Sequence, residues 1–399
     1  MTQPGLQLLV SSALIFIIFV IVMGHVAWLI LLERRVAAWM QDRHGPNRAG
    51  PFGLLQPIAD GLKMFLKEDY APRHVERPLF TIAPMLMMIP AVLALGVIPW
   101  GGPVELAGHA VSFTIAHVDI GLLYLLAVMG LGVYGIVLAG YASNNKYSFL
   151  GGMRSTAMML SYEVPLALSI LAIVLLAGQV TLEGIVLHQI SHGWNIVGHP
   201  LLGIICFSCL LAEANRAPFD VAECEQELVG GFHTEYSSMR FGLFFLAEYT
   251  SLIVGMAFFS CLFLGGWDIP FLSYLFPALA DSAAPWWMAL VRFALLWTKV
   301  LLLIVFVMMI RWTLTRFRYD QIMQLSWLKI IPLATALLLI NVGLKFGAAL
   351  QPENALLALD GWVVSLTINI LIAAWLVAAA GRSRTPITGR QSDLAPQPS

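Results

Sequence analysis

Residues 6–32 read LQLLVSSALIFIIFVIVMGHVAWLILL, with no acid, lysine or arginine anywhere in the run. A helix needs about 20 such residues to cross ~30 Å of hydrocarbon, and only helices and closed barrels leave no backbone group unpaired there. The run is too long for a signal-peptide core and has no basic residue ahead of it, so it reads as a first membrane span. Eight more candidate spans follow, at roughly 79–99, 117–141, 155–177, 200–219, 241–266, 287–310, 330–350 and 361–381. The fold class is therefore an all-α polytopic membrane protein of about nine transmembrane helices. A hydrophobic fraction of 59% excludes a soluble globular chain. No nucleic-acid footprint is visible, and Cys206 and Cys209, a CxxC inside an apolar run, read as small packing residues.

Loop charge orients the spans. Arg34, Arg35, Arg43, Arg48, Lys63, Lys67, Arg73 and Arg77 lie between the first two, and none lies near 100–116. The alternation persists through Lys146 and Arg154, Arg216 and Arg240, then Arg311, Arg316, Arg318 and Lys329, while the loops at 178–199, 267–286 and 351–360 have no lysine or arginine. By the positive-inside rule the N-terminus is periplasmic and the C-terminus cytoplasmic. In the first basic loop Leu54, Leu55, Ile58, Leu62, Phe65 and Leu66 oppose Gln56, Asp60, Lys63 and Lys67. That pattern predicts an amphipathic helix near 54–67 at the cytoplasmic interface; a surface helix that merely closes the bundle is the plainer reading.

Ionisable residues inside spans are costly and default to a functional hypothesis. Glu163 and Glu248 lie at similar depth on different helices, Glu213 and Arg216 have the i, i+3 spacing that would let them pair, and Lys299 lies mid-span with no carboxylate at i±3 or i±4, so its partner is expected from another helix. Together they look like a proton path; paired charges that only fix helix register are the alternative. Arg292 and Lys345, nearer the outer ends, are expected to snorkel. His25 is the one histidine well inside a span, so no haem held by histidines on facing helices is expected. Residues 213–239 hold six acids (Glu213, Asp220, Glu223, Glu225, Glu227, Glu235) against Arg216, and are expected to form an ordered irregular loop that docks on the basic loop at 33–78.

Several separate motifs then carry a resemblance: ERRVAAWMQDRHGPNRAGPFGLLQPIADGLK at 33–63, SNNKY at 143–147, SYEV at 161–164, EANRAPFDVAECEQELV at 213–229, EYS at 235–237, AEY at 247–249 and RFRYDQ at 316–321. Over about residues 25–350 the chain resembles the H subunit of bacterial NADH-quinone oxidoreductase, the proton-pumping complex I, whose mitochondrial counterpart is NADH dehydrogenase subunit 1. The resemblance implies a subunit that joins the membrane arm to the peripheral arm in the bacterial inner membrane, with a quinone as substrate and nothing bound covalently. Iron-sulfur clusters and flavin would reside only in partner subunits, so no redox centre is expected in this chain. Arg34, Gln56, Asp60, Lys63 and Arg216 would surround the quinone chamber. Glu213, Glu223, Glu225, Glu227 and Glu235 would form the acidic loop, and Glu163, Glu248 and Lys299 the route into the membrane arm, all eight serving proton coupling. The corresponding subunit of a membrane-bound hydrogenase and a stand-alone cation/proton antiporter are the rival functions. Residues 1–350 would hold an eight-helix core, 351–381 an additional helix, and 382–399 a polar cytoplasmic tail.

Overall fold

The computed structural model describes residues 3–106, 108–221, 229–269, 284–350 and 361–382, and the polar tail from 383 onward lies outside them. The first apolar run becomes α1 (Gln3–Met40), which continues past the run's end so that Glu33, Arg34 and Arg35 sit on the helix. Its last turns are held in place because Val36, Ala37 and Ala38 are buried. A turn at Pro51–Gly53 leads into α2 (Gln56–Leu66), opened by Pro57 near its start, where a missing N–H costs nothing. No residue of α2 is buried, and Ile58, Leu62, Phe65 and Leu66 are all exposed, as an interfacial amphipathic helix requires.

The bundle follows as α3 (Arg77–Ala94), α4 (Gly121–Ala142), α5 (Lys146–Ala177), α6 (Leu182–His192), the single turn α7 (Asn195–Gly198), α8 (Pro200–Glu213), α9 (Ser238–Phe263), α10 (Trp286–Thr313), α11 (Tyr319–Leu325), α12 (Ile331–Leu350) and α13 (Gly361–Arg382). A π-helical turn at Ser326–Ile330 joins α11 to α12. Two short strands, β1 (Pro103–Leu106) and β2 (His109–Ser112), pair antiparallel between α3 and α4, a departure from an all-α chain.

Seven helices in the described residues are long and apolar enough to cross a membrane, and Pro200–Glu213 and Val364–Leu376 are shorter apolar helices. Two helices organise the packing. α5 touches α4, α8 and α12, and α9 touches α1, α2, α3, α8 and α10. Every residue of α9 from Leu252 to Phe263 is buried. α3 and α4 meet backbone to backbone at Gly135, where an added Cβ would fall 2.8 Å from the Met87 nitrogen; small residues allow such close contact between apolar helices.

Arg292 does not snorkel. It is 1% exposed and donates to the Pro103 carbonyl at 2.6 Å, tying α10 to the hairpin. Lys345 is exposed and donates to the Leu175 and Leu176 carbonyls near the end of α5, at 2.5 and 2.9 Å.

Candidate functional site

A cavity of about 730 Å³ opens between α1, α2, α9 and α10 at the arginine-rich end of the bundle. Arg34, Gln56, Asp60 and Lys63 all line it. Helical spacing explains three of them, since Gln56, Asp60 and Lys63 share one stripe of α2, from which Ile58, Leu62 and Leu66 point away. Asp60 organises the wall: Gln56 donates to it at 3.1 Å and Arg34 pairs with it at 2.7 Å. Most of the remaining lining is apolar, including Ile30, Phe245 and Leu246.

Arg216 stands behind this wall, its side chain 10% exposed. Its spacing in the sequence predicts a helix face shared with Glu213. The structure pairs it with Glu33 (3.3 Å) and Glu248 (3.1 Å) instead. The reason is local: α8 ends at Glu213 and Asn215 takes a left-handed conformation (φ 47°), so Arg216 leaves the helix before an i, i+3 pair can form. Its guanidinium also lies 4.3 Å from the centroid of the Tyr249 ring.

Glu33 does not stand out in the sequence as a functional position, because it reads there as the polar flank of a span. It proves to be the junction. Its carboxylate accepts from Arg216, Arg311 and the Tyr249 hydroxyl, and Glu33, Tyr249 and Arg311 all line the chamber.

Beyond Arg216, Glu248 and Glu213 line one small cavity of about 30 Å³, enough for one water, shared with Met129 and Gly132 of α4. Glu163 comes from α5 to the same turn of α4, against another face of it: a Cβ on Gly130 would stand 2.8 Å from its Oε1. Glu163, Glu213 and Glu248 thus surround one segment of α4. The chamber reaches them through Glu33 and Arg216.

Where it is described, the end of the acidic segment meets the loop at 33–78 through serines and Arg240, and its acids pair elsewhere. Ser237 exchanges hydrogen bonds with the Tyr70 backbone (3.0 and 3.1 Å), Ser238 donates to the Met64 and Lys67 carbonyls, and Arg240 pairs with Asp69 at 3.3 Å. Asp220 pairs with Arg316 at 2.5 Å. Glu235 accepts from Asn145 (2.6 Å), which caps α5, and Ser148 donates to the Phe232 carbonyl at 2.9 Å. Burial pushes the neighbouring His233 imidazole down to about 4, amid Phe232, Phe241 and Phe245. Glu223, Glu225 and Glu227 lie outside the described residues.

Lys299 is not part of this gathering. Its ammonium donates to the backbone carbonyls of Leu264 (2.6 Å), Gly266 (2.8 Å) and Asp268, and lies 4.6 Å from the centroid of the Trp194 ring. The partner expected from another helix is thus the turn after α9, ~24 Å along from Glu248 at 1.5 Å per residue.

A multi-pass helical membrane protein, with an apolar chamber at its arginine-rich end and a buried acid cluster behind it, is the class this architecture defines. The NADH dehydrogenase family model matches residues 13–342, and the chain belongs to that family. It is 43% identical over 334 residues to an H subunit of the NADH-quinone oxidoreductase of Cytophaga hutchinsonii, an alignment covering 84% of this chain and 96% of that protein. Against an H subunit of the Geobacter metallireducens enzyme the identity is 44% over 341 residues, covering 86% and 98%. With the H subunit from Leptospira biflexa it is 45% over 327 residues, covering 79% and 89%.

Proposed function

We propose that this chain is the membrane subunit of a respiratory NADH-quinone oxidoreductase that forms part of the quinone chamber and the start of the proton path. One observation carries the reading: the chamber shares Glu33 with an ion-pair chain that ends at the buried acids. A quinone has an oxygen-bearing ring and an apolar tail, and the chamber offers a polar patch of Arg34, Gln56, Asp60 and Lys63 within an apolar lining. Reducing a quinone to a quinol takes up two electrons and two protons, so charge changes at the patch. Glu33, held by Arg216 and Arg311, would pass that change to Glu248 and Glu213 by shifting which partner each arginine favours. Glu163 would continue the route; Glu223, Glu225, Glu227 and Glu235 would sense the substrate from the loop. Lys299 would lie further along, toward other membrane-arm subunits.

Counting α8 and α13 as spans gives nine, with the N-terminus periplasmic, the C-terminus cytoplasmic and the chamber at the cytoplasmic boundary of a bacterial inner membrane. Electrons would arrive from iron-sulfur clusters and flavin in the peripheral-arm subunits docked there. The word quinone in the relatives' names favours this reading over a hydrogenase subunit or an antiporter.

In the assembled complex, Glu248→Gln and Asp60→Asn should each lower quinone reduction and proton pumping at least tenfold, ~1.4 kcal/mol or more. Assembly, followed by co-purifying subunits, should persist. Normal turnover and pumping in either assembled variant would remove that residue from the mechanism.

A further inference from the structure

The family match ends at residue 342, and α13 lies beyond it. This helix packs against α7, α8 and α12. On it, Ser365 and Asn369 are each 2% exposed, whereas Ile370, Leu371 and Trp375 are 55–68% exposed. The i, i+4 spacing puts Ser365 and Asn369 on one face, turned toward the protein. Lipid is as apolar as leucine, so an apolar helix has little reason to prefer the bundle over the bilayer unless packing and polar contacts select it. Here the polar residues are the covered ones.

The partner of Ser365 is His199, which flanks the start of α8 and is itself 5% exposed. The Ser365 hydroxyl lies 3.3 Å from its Nδ1, and Asn369 fixes the same turn by donating to the Ser365 carbonyl at 2.7 Å. A second polar residue faces inward from the neighbouring helix, since Asn341 of α12 is 3% exposed. Its amide donor and the Asn369 amide acceptor are both buried without a hydrogen-bond partner among the described residues, one on each of two helices that pack together.

We propose that α7, the start of α8 and α12 form a helix-binding seat whose occupant is the chain's own α13, recognised through His199, Ser365 and Asn369. This flank is then closed to helices of neighbouring subunits. The seat also braces α8, the short helix that delivers Glu213 to the acid cluster.

The test uses the full chain in its native membrane, with a protease site inserted in the 351–360 segment. In a chain whose four native cysteines are replaced by alanine, His199→Cys with Ser365→Cys should form a disulfide on oxidation, so that the two fragments stay joined after cleavage until reduced. His199→Cys with Leu371→Cys should not. Fragments that part without reductant, or a Ser365→Cys adduct to another subunit, would overturn the seat. Independently of disulfide chemistry, cleavage of the native-cysteine chain should leave the α13 fragment bound through mild-detergent purification. Ser365→Ala with Asn369→Ala, which keeps the helix apolar and adds no bulk, should lower its recovery about tenfold. Equal recovery would show that the polar contacts do not recognise the helix.

Discussion

Glu33 carries two guanidinium groups and a phenol on one carboxylate, at a place where its side chain is 12% exposed. A buried ion pair is poor evidence of net stability, but removing one member strands the others. Glu33→Gln keeps the shape and removes the charge. Arg311, 35% exposed, can turn to water, while Arg216 keeps only Glu248 of its two carboxylate partners. The loss should be about 2–4 kcal/mol at the junction, toward the low side because Arg311 is solvated. In the assembled complex, Glu33→Gln should lower quinone reduction as much as Glu248→Gln does, and the pair should be far less than additive. Additive losses would mean that Glu33 and Glu248 act separately. His233 supplies a pH dependence of its own. Folded, its pKa is about 4; unfolded it is ~6.5. Above pH ~6.5 neither state is charged. As pH falls from 6.5 toward 4 the opened loop binds a proton that the packed loop refuses, so stability is lost across that window, about 2 kcal/mol by pH 5. Hydrogen exchange at residues 230–237, corrected for intrinsic rates, should show that loss, and His233→Phe should abolish it. Protection that is flat with pH in the parent chain would contradict the burial of this ring.

Among the helices, α5 is shaped by a residue that breaks its own ladder. Pro165 has no N–H, so the carbonyl of Ser161 lacks its helical donor. Ser326, in the π-helical turn before α12, donates to that carbonyl at 2.8 Å, and Trp327 donates to the Ser161 hydroxyl at 3.2 Å. The proline in one helix and the irregular turn in the other are thus one device. It lies beside Glu163, two residues from Ser161. Ser326→Ala should destabilise the complex by about 1–2 kcal/mol, read as faster thermal inactivation in detergent. It should cost clearly less in a Pro165→Ala background, where the restored N–H serves the same carbonyl. Equal cost in both backgrounds would break the link. The elements themselves were legible in the sequence because hydropathy and loop charge both mark span ends: the run at 241–266 is α9 at Ser238–Phe263, and the pattern at 54–67 is α2 at Gln56–Leu66. The contacts were not. Glu33 looks like a flanking charge, since nothing local says that α1 continues to Met40 and turns it inward. The Glu213–Arg216 pair fails on one left-handed residue, Asn215. The hydrogen-bond acceptors of Lys299 are backbone carbonyls, which have no sequence signature.

At the scale of the molecule, the buried ionisable groups are gathered at two places. Glu33, Arg216 and Glu248 touch directly, while Lys299 closes the far end of α9 against α10. α9 spans both, and its buried half from Leu252 to Phe263 makes it a stiff member rather than a hinge. The chamber is built on its other half, facing α2, and Gly242 shows how tightly the size of that space depends on one position. A Cβ there would meet only the Met239 sulfur at 3.8 Å and Met64 at 4.0 Å, ordinary contacts, in a helix backbone that any residue adopts. Gly242→Phe is therefore tolerated by α9, and its ring has the chamber, which Gly242 and Met64 both line, as the space to enter. Overfilling of this kind costs about 1–3 kcal/mol, so the KM for a long-tailed quinone should rise about tenfold or more. Electron transfer from NADH to a small hydrophilic acceptor, which needs no access to this chamber, should stay within about twofold, and the subunits should still co-purify. Loss of both activities would mean that the substitution disrupts docking of the partner arm. Unchanged quinone kinetics would mean that the substrate takes another route into the protein, and the chamber between α1, α2, α9 and α10 would lose its assigned role.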